Sequence, residues 1–376
     1  MTDTRFLHLA DLHLGKRLKE FSLIEDQRFV LQQAVDLIRN EHLNGVLIAG
    51  DIFDSSVPTA DATTLFDNFI TEIHRLGVPL FLISGNHDSA EKLQFGGRIF
   101  SENSLYFVTN LQQALTPISF QGINVYLLPF SKPIDVNYAF GTTCKTYTEA
   151  LSEVVKRMMV DSTKTNLLLA HQTVLPTSAP LLVGGSESSI SIKDGVAVGD
   201  VTAVPAELFS CFDYVALGHI HRPQTIAKNA RYCGSILKYH KDEASIEKTF
   251  TILDVSNKTI TVETRPIRYL HNVVALRGSL DEIMKSPADK NAYIFATLSD
   301  KLTLDDPMGT LRSRFPFAAA IEYENLSGGI SSANHVDIQH KSKEELFGEF
   351  FATQNGRPMN EAQADLMHSL LGKENP

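Results

Sequence analysis

Five short apolar runs in this chain each end in polar residues that can bind metals or transfer protons, and this recurrence constrains the fold more than any other feature. The endings are Asp11-Leu12-His13, Gly50-Asp51, Gly85-Asn86-His87-Asp88, His171 and Gly218-His219-Ile220-His221. Short runs of this kind, bounded by turn residues, are typical of buried strands. In open α/β sheets, ligands bind beyond the carboxyl ends of the strands. The sequence therefore predicts a fold that gathers these five endings at one sheet edge.

The alternation of strand and helix patterns continues to about residue 267 and is typical of a layered α/β domain. The predicted strands are Phe6–Ala10, Val46–Ala49, Leu80–Ser84, Val125–Leu128, Leu167–Ala170 and Tyr214–Leu217. Between the second and third of these, apolar residues recur at helical spacing, with Thr59 placed to cap the helix and Gly77 placed to end it. A hairpin is predicted over Phe250–Val255 and Thr259–Thr264, with Ser256-Asn257-Lys258 as its turn.

Pro266 marks a change of pattern, and the predicted domains divide there. Residues 1–267 form the α/β domain, in which the Gly- and Ser-rich segment Thr177–Asp200 is interpreted as a long loop or a poorly ordered excursion. Residues 268–335 follow as strand, helix, strand, helix, strand, without a motif that indicates chemistry, and predict a small α+β domain. Residues 336–376 form a predicted C-terminal helical segment.

The C-terminal segment predicts two short helices. Ser342 and Glu345 match a capping box at the start of the first helix, which Asn355-Gly356 would end. Asn360 would cap the second helix. Their apolar stripes follow a complete domain and need a surface that buries them, either on a partner protein or on the small domain.

The composition limits the class of the protein. The net charge is −10 with neutral histidines, so any phosphate binding must depend on local positive charge. No apolar run reaches the ~18 residues of a membrane span, and the N-terminus lacks the pattern of a signal peptide, so a cytoplasmic location is expected. Cys144, Cys211 and Cys233 match neither a disulfide framework nor a C-x-x-C site, and we expect buried free thiols.

Each ending taken alone has a simpler explanation. A single histidine at a strand end is most often a hydrogen-bonded structural residue, and an aspartate after glycine is by default a turn or a helix cap. Five such endings in one domain are difficult to explain in that way, and together they favour a metal site. His8 lies inside its predicted strand and is interpreted as structural.

The types of donor atom indicate which metals fit. Oxygen and nitrogen ligands without thiolate suit Mn²⁺, Fe²⁺, Zn²⁺ or Mg²⁺ rather than a structural zinc site. The ligands are too many for one ion, whereas two ions about 3.5–4 Å apart that share a bridging carboxylate fit their number and activate water for phosphoester cleavage. With Asp11 and Asp51 ionised, two such ions leave a charge of about +2, which can attract a phosphodiester to an acidic protein.

The ordered motifs D-L-H, G-D-I-F-D, G-N-H-D, H-Q-T and G-H-I-H resemble those of the calcineurin-like metallophosphoesterases. Within these enzymes the chain is similar to the bacterial SbcD-type nuclease subunits, because it also carries L-G-K after the first motif, A-L-G-H-I-H-R-P-Q, Y-C-G-S-I-L-K-Y and F-F-x-x-Q-N-G-R-P. The resemblance covers nearly the whole chain and is weakest over residues 268–335. It implies a layered β-sandwich flanked by helices, with the small α+β domain as a cap and a C-terminal helical tail.

The resemblance also implies a role for each candidate residue. One metal would be held by Asp11, His13 and His221. The other metal would be held by Asn86, His171 and His219. Asp51 would bridge the two ions, His87 would meet the scissile phosphate, and Asp88 would support His87. Archaeal and eukaryal relatives tend to carry histidine at the position of Asp54, so details of substrate positioning in those relatives do not transfer.

The function implied by the resemblance is that of a metal-dependent DNA nuclease, a double-strand exonuclease and single-strand endonuclease that works with an SbcC-type coiled-coil ATPase in DNA repair. It implies two divalent ions in each nuclease chain, with Mn²⁺ ahead of Mg²⁺, Fe²⁺ or Zn²⁺. It further implies a homodimer of nuclease subunits and a substrate of duplex ends, hairpins or single strands. Basic residues near the motifs could contact phosphates, although a solvated surface explains each of them at least as well; they are Lys16, Arg17, Lys92, Arg98 and Arg222.

Two other hypotheses stay open. The first is a phosphodiesterase or phosphatase that acts on a small molecule. A phosphoprotein substrate is disfavoured, since protein phosphatases of this kind usually show G-D-x-x-D-R and G-N-H-E. In this chain Ser55 stands in place of the arginine that ends the first motif, and Asp88 stands in place of the glutamate that ends the second. The second is a non-catalytic scaffold, which the complete set of candidate ligands and His87 argues against.

Overall fold

A computed structural model gives the fold of this chain. It describes residues 3–176, 181–182, 191–193, 196–198, 203–256, 258–300, 304–324, 346–348, 351–352 and 357–371. The chain divides into two compact units, residues 1–322 and residues 323–376. Among the residues described, no helix is both long enough and apolar enough to cross a membrane.

The strands are numbered in chain order. They are β1 (Thr4–Leu9), β2 (Arg17–Leu18), β3 (Phe21–Ser22), β4 (Gly45–Ala49), β5 (Leu80–Ile83), β6 (Leu105–Val108), β7 (Ile118–Phe120), β8 (Ile123–Leu128), β9 (Thr165–His171), β10 (Val174–Leu175), β11 (Ser191–Lys193), β12 (Val196–Val198), β13 (Val204–Pro205), β14 (Tyr214–Gly218), β15 (Gln224–Ala227), β16 (Ala230–Tyr232), β17 (Thr249–Ser256), β18 (Thr259–Pro266), β19 (Val273–Gly278), β20 (Tyr293–Leu298) and β21 (Ala318–Tyr323). All six predicted strands of the alternating region are confirmed, with ends shifted by two residues or fewer.

The helices of the described residues are also numbered in chain order. They are α1 (Ile24–Asn40), α2 (Ala60–Arg75), α3 (Ala90–Gln94), α4 (Gly97–Glu102), α5 (Leu111–Ala114), α6 (Pro133–Phe140), α7 (Tyr147–Arg157), α8 (Leu280–Met284), α9 (Pro307–Arg314) and α10 (Glu361–Leu371), with short 3₁₀ helices at Ala206–Phe209 and Lys241–Glu243. The predicted helix between the second and third runs is α2, and Thr59 Oγ1 accepts a hydrogen bond from the Ala62 amide, as expected of its cap.

Two six-stranded sheets form the centre of the first unit. The first sheet has the order β18, β17, β1, β4, β5, β6, in which β1, β4, β5 and β6 are parallel and the predicted hairpin β17–β18 joins them through an antiparallel pairing of β17 with β1. The second sheet has the order β15, β16, β14, β9, β8, β7, with four parallel strands between antiparallel edge strands. Every strand that precedes a candidate site residue is one of these parallel strands.

The sheets pack face to face, which explains why their strands are apolar on both sides. Phe6 of β1 joins Phe81 and residues of the second sheet, such as Leu169, in the layer between the sheets. Leu7, which points to the opposite face of the same strand, packs in the outer layer with α1 and α2. Helix α7 covers the outer face of the second sheet. A parallel strand buried on both faces has a continuous apolar run, and the predicted layered sandwich flanked by helices is confirmed.

A third, smaller sheet has the order β19, β20, β21. Helices α8 and α9 connect its strands, so the predicted succession of strand, helix, strand, helix, strand after residue 268 is confirmed. These elements, up to Glu322, lie in the same compact unit as the two large sheets. The division of the chain at residue 267 stays a prediction.

Two predictions about local structure are modified. Within Thr177–Asp200, interpreted as a loop, β11 and β12 form a short antiparallel pair; residues 177–180, 183–190, 194–195 and 199–200 lie outside the described residues. The three cysteines are free, but only Cys233 is buried. The prediction of a buried thiol is wrong for Cys211, which is exposed because it lies in the turn after a 3₁₀ helix.

The second unit contains α10, helical residues at 346–348 and 351–352, and the predicted cap of α10. The Asn360 side chain accepts a hydrogen bond from the Gln363 amide at 2.9 Å, so this cap is confirmed. The predicted capping residues Ser342 and Glu345 and the predicted stop Asn355-Gly356 lie outside the described residues.

Candidate metal centre

The predicted site residues lie together at the carboxyl ends of parallel strands from both large sheets. The first sheet contributes Asp11 and His13 after β1, Asp51 after β4, and Asn86, His87 and Asp88 after β5. The second sheet contributes His171 at the end of β9, and His219 and His221 after β14. Five of these side chains are buried, whereas Asn86 and His87 are exposed. The site therefore has a buried floor and an open rim, as a substrate cleft requires.

The first predicted ligand set converges as expected. His13 Nε2 and His221 Nε2 lie 3.1 Å apart although 208 residues separate them in sequence. Asp11 offers a carboxylate oxygen to the same group, whose ligand atoms all lie within 4.8 Å of one another. Two ring nitrogens that face each other form a hydrogen bond only when one of them carries a hydrogen. When neither carries one, a cation between them can accept both lone pairs.

The second predicted ligand set converges on the amide oxygen of Asn86. That oxygen lies 3.0 Å from His171 Nε2 and 3.0 Å from His219 Nδ1. The main chain of His219 also donates to the Asp11 carboxylate, at 2.9 and 3.1 Å. One oxygen and two ring nitrogens thus face a common point at the rim.

Asp51 lies between the two sets. Its Oδ2 atom is 3.5 Å from His13 Nε2, a member of the first set, and 3.4 Å from His171 Nε2, a member of the second. Its Oδ1 atom accepts a hydrogen bond from the His87 amide at 2.9 Å. A carboxylate in this position fits the predicted bridge between two ions.

The residues present fit a pair of divalent ions. Six of the seven predicted ligands offer an oxygen or imidazole nitrogen within about 3.5 Å of another member, in the N and O chemistry that Mn²⁺, Fe²⁺, Zn²⁺ and Mg²⁺ accept. Asp11 completes the set through the group that it forms with His13 and His221. A buried cluster of this composition needs a positive charge near it, because burial of unpaired carboxylates is costly.

The backbone at these positions is held in an uncommon conformation. Asp11, His13, Asp51 and His219 all have positive φ, at +52°, +42°, +52° and +97°. Such strain at non-glycine residues costs of order 1–3 kcal/mol each and clusters at functional sites. The position of Gly85 requires glycine, because a Cβ there would overlap the carboxylate and the main-chain amide of Asp51. The conformations bring side chains from different strands close enough to share a ligand.

Comparison with known proteins agrees with this geometry. A family model described as calcineurin-like phosphoesterase matches residues 4–223, and a model described as Type 5 capsule protein repressor C-terminal domain matches residues 269–355. A relative from Staphylococcus epidermidis, named as the D component of the nuclease SbcCD, is 31% identical over 376 residues, which cover 98% of each chain. The relative of that name from Staphylococcus saprophyticus is 28% identical and covers 98% of this chain and 97% of its own.

The chain belongs to the calcineurin-like phosphoesterases, within the SbcD nuclease family. Among solved structures, that of TT1561 of Thermus thermophilus matches this phosphoesterase with a TM-score of 0.44 and 10% identity, over 70% of this chain and 99% of that one. A similarity at this level is loose, and the assignment of the fold to the phosphoesterases follows from the family model and from the paired sheets.

Burial and mutual charge set the pKa values in the phosphoesterase site. Burial raises the pKa of Asp11 and lowers the pKa of His13. Burial also opposes ionisation of Asp51, but the attraction of His171 and His13 outweighs it and lowers the pKa of Asp51. In the same way burial disfavours a charged His171, while Asp51 and Asp11 raise its pKa to about 9. In the metal-free protein, the proton on His171 thus supplies positive charge that the carboxylates require.

His87 lies at the rim with one ring nitrogen occupied. Its Nδ1 atom is 2.9 Å from the main-chain oxygen of Asp54, which can only accept, so Nδ1 carries the hydrogen. Its ring meets the His13 ring edge to face, with centroids 4.8 Å apart. Nε2 is then the atom at which His87 can hold or transfer a proton.

Asp88 makes different contacts from those that its predicted role required. Its carboxylate accepts hydrogen bonds from the amides of Ile52, Phe53 and Gly85, at 3.1, 3.0 and 2.9 Å. Burial, together with the charge of Asp51, raises the pKa of Asp88 to about 6 against these hydrogen bonds. These contacts brace the loops that carry Asp51 and Asn86, whereas the predicted support of His87 falls to the Asp54 carbonyl.

Several further residues contact the backs of the candidate ligands, and of these Gln27 and Glu243 were not singled out from the sequence. His13 Nδ1 lies 3.5 Å from Asp54 Oδ1, which also pairs with Lys16 at 2.6 Å. His221 Nδ1 lies 3.5 Å from Glu243 Oε1. The Gln27 amide donates to the main-chain oxygen of His13 at 2.7 Å. Asp54 is the last residue of the motif G-D-I-F-D, whereas no pattern in the sequence marked Gln27 or Glu243.

Three of the basic residues considered for phosphate contact already have partners. Lys16 pairs with Asp54, Arg17 donates to the main-chain oxygen of Glu20, and Lys92 donates to the main-chain oxygen of Ser56 at 2.7 Å. Lys16 lies on the loop that follows β1, and Lys92 lies on α3, which begins just after Asn86, His87 and Asp88. Their contacts show that each has a structural role, whether or not it also meets a substrate.

Proposed function

We propose that this chain is the metal-dependent DNA nuclease subunit of an SbcC/SbcD-type complex, which hydrolyses phosphodiester bonds with two divalent ions. The convergence of two donor sets on either side of Asp51 carries the proposal. Relatives that match 98% of this chain and are named as components of the nuclease SbcCD support DNA as the substrate. With DNA as its substrate, the proposed location of the chain is the cytoplasm.

The proposed ligands follow the two donor sets. Asp11, His13 and His221 hold one ion, and Asn86, His171 and His219 hold the other, with Asp51 between them. When bound, two such ions activate water and stabilise the attacking and leaving oxygens of a phosphodiester. Mn²⁺ is the proposed native metal because of the resemblance to the SbcD-type nucleases, and the mixture of carboxylate, amide and imidazole ligands fits it as it fits Fe²⁺, Zn²⁺ or Mg²⁺.

His87 is the proposed residue that meets the scissile phosphate. Its Nδ1–H is held by the Asp54 carbonyl, which fixes the ring and leaves Nε2 for a phosphate oxygen. A proton donated from Nε2 would stabilise charge on the leaving group. Asp88 is proposed to act through the backbone, because its carboxylate orders the loops on which Asp51 and Asn86 lie.

A cleavage assay tests the proposed substrate. The full chain with Mn²⁺ is given linear duplex DNA, single-stranded DNA and bis-para-nitrophenyl phosphate, with and without the coiled-coil ATPase. We expect cleavage of both DNA forms by the wild type and none by Asp51→Asn. Cleavage of the small diester with both DNA forms left intact, even with the ATPase, would favour the small-molecule hypothesis. A chain that cleaves none of the three would overturn the enzymatic proposal.

The C-terminal segment is the proposed binding site for the ATPase. On α10, Leu366 is 60% exposed although it is a large apolar residue, which favours burial against a partner helix or groove. Residues 268–335 are proposed to cap the nuclease domain of residues 1–267. Neither proposal requires a change in the metal site.

Two substitutions on α10 test the partner proposal. Leu366→Asp should abolish co-purification with the ATPase and leave cleavage of single-stranded DNA unchanged. Ala364→Asp is the matched control, because it lies about 200° around the same helix and adds the same charge. Equal binding of the ATPase by both variants and the wild type would place the partner surface elsewhere.

A homodimer of nuclease subunits is also proposed. Phe95 and Ile99, at the short helices α3 and α4, are 84% and 66% exposed, and Phe95 lines an apolar cavity of about 410 Å³ with Phe100 and Phe107. Exposed apolar surface of this kind marks an interaction site.

Light scattering tests the proposed dimer. The wild type should be a dimer, and Ile99→Asp should dissociate it. Ile134→Asp is the control and should leave the dimer intact, because Ile134 is a comparably exposed apolar residue on α6. A wild-type monomer would contradict the proposal.

A further inference from the structure

A buried ion pair lies directly behind one of the proposed metal ligands. Glu243 and Lys248 are 0% and 1% exposed, and Glu243 Oε2 is 2.5 Å from Lys248 Nζ. Burial of two charges costs several kcal/mol per ion, and apolar residues in their place are often neutral or stabilising. The pair is therefore poorly explained by stability alone.

The contacts of the pair converge on His221. Glu243 Oε1 lies 3.5 Å from His221 Nδ1. Lys248 Nζ donates to the main-chain oxygen of His221 at 2.7 Å and to Ser235 Oγ at 2.8 Å. The lysine thus holds the backbone of His221 directly and holds its ring through Glu243.

This arrangement selects the ring nitrogen that faces the metal centre. His221 Nε2 points at His13 Nε2, 3.1 Å away, whereas Nδ1 points at Glu243. A carboxylate accepts a hydrogen bond and cannot donate one when ionised, so it favours the hydrogen on Nδ1. The lone pair of Nε2 is then directed into the donor set. A carboxylate behind a ligating histidine raises its basicity and fixes its orientation.

We propose that Glu243 and Lys248 are positioning residues that hold His221 for one of the two metal ions. The proposal depends on the proposed metal-dependent function, because it takes His221 as a ligand. Lys248 holds the Glu243 carboxylate in place, and the segment of residues 241–248 thereby supports the proposed metal centre from behind His221.

The test measures Mn²⁺ binding to the full chain by calorimetry and by electron paramagnetic resonance of free Mn²⁺. Glu243→Gln should weaken one of the two ions by about 10–100-fold, the usual cost of losing such a partner, and leave the other unchanged. Excess Mn²⁺ should restore its nuclease activity. In the metal-free protein, ¹⁵N spectra of the histidine rings should show His221 with its hydrogen on Nδ1 in the wild type and a mixture of the two forms in the variant.

Asp26→Asn is the matched control. Asp26 is also a buried carboxylate on a histidine, 3.1 Å from His271 Nδ1, and it accepts from the Tyr293 hydroxyl at 2.9 Å. Its hydrogen bonds to these two residues lie outside the proposed ligand sets. This variant should therefore bind both ions with wild-type affinity, which separates loss of positioning from general damage to the core.

A second variant covers the case in which Glu243→Gln does not fold because Lys248 is left without its charge partner. Glu243→Gln combined with Lys248→Met removes both charges, and it should fold and show the same weakened ion. Two ions bound at wild-type affinity in the double variant would overturn the proposal. If the wild type binds one ion, the two-ion function fails, and weaker binding of that ion by the double variant would still support the positioning role.

Discussion

Two sheet edges in this molecule carry polar residues directly after parallel strands, and they use them in opposite ways. After β19, the Ser279 hydroxyl accepts a hydrogen bond from the Glu282 amide at 3.3 Å. After β20, the Asp300 carboxylate accepts from the Leu280 amide at 2.7 Å. Both side chains cap α8, and their polar atoms are satisfied by nearby backbone.

The edge shared by the two large sheets behaves differently. His13 and His221 face one another across 208 residues of sequence, and Asn86 meets His171 across 85. The partners of these side chains are side chains at other strand endings, not backbone amides of a helix. A polar residue at a strand end therefore indicates chemistry when its partner is a side chain of another strand ending, and indicates a cap when its partner is an amide in the first turn of a helix.

The largest effect is expected for Asp51→Asn. This change removes the proposed bridging charge between the two donor sets. At least one ion should therefore bind more than ~100-fold more weakly, because loss of a residue that only supports a ligand already costs about 10–100-fold in metal affinity. Metal analysis after gel filtration checks the ion content, and circular dichroism checks that the variant is folded. Asp300→Asn at the other edge should keep the wild-type metal content. An Asp51→Asn variant with unchanged metal would place the bridge elsewhere.

His87→Gln should have the next largest effect. Because Nε2 is proposed to donate to a phosphate oxygen, its loss should lower cleavage by at least ~100-fold, about 2.7 kcal/mol of barrier. Both ions and DNA binding should be retained, as measured by Mn²⁺ titration and by fluorescence anisotropy of labelled DNA. Loss of an ion would make His87 a ligand, and near-normal cleavage would make it structural.

His8 gives a smaller effect that depends on pH. Burial lowers the pKa of His8 to about 3, so between about pH 6.5 and 3 the unfolded chain binds a proton that the folded chain does not. His8 therefore lowers the free energy of unfolding as the pH falls, by about 2 kcal/mol between pH 7 and pH 5. Urea denaturation at both pH values should show that His8→Phe loses less stability than the wild type. An equal loss in the two proteins would refute the low pKa.

The smallest effect is expected for Asp300→Ala. The change leaves the Leu280 amide without its acceptor and should lower the free energy of unfolding by about 1 kcal/mol, as loss of a helix cap does. Urea denaturation measures the loss, and metal content should not change. Loss of metal in this variant would remove the difference between the two edges.

The sequence predicted the strands at the edge shared by the two large sheets well, because parallel strands buried on both faces leave continuous apolar runs with polar ends. It did not indicate that β1, β4 and β5 lie in one sheet while β9 and β14 lie in another. That division depends on pairing between distant segments, which no local pattern records.

The residues behind the ligands were predicted less well. Glu243 lies in a short 3₁₀ helix and Lys248 just before β17, so neither follows a strand of the parallel sets. Their proposed role depends on the fold, which brings both residues into contact with His221. Asp88 was predicted as a site residue, but its contacts with backbone amides depend on how two loops approach each other, which the motif does not specify.

Anomalous diffraction from crystals of the full chain grown with Mn²⁺ would locate the two ions that we propose on either side of Asp51. We predict two anomalous peaks about 3.5–4 Å apart. One should lie within coordination distance of Asp11, His13 and His221, and the other near Asn86, His171 and His219, with the Asp51 carboxylate between them. A single peak, or two peaks that Asp51 does not contact, would contradict the account.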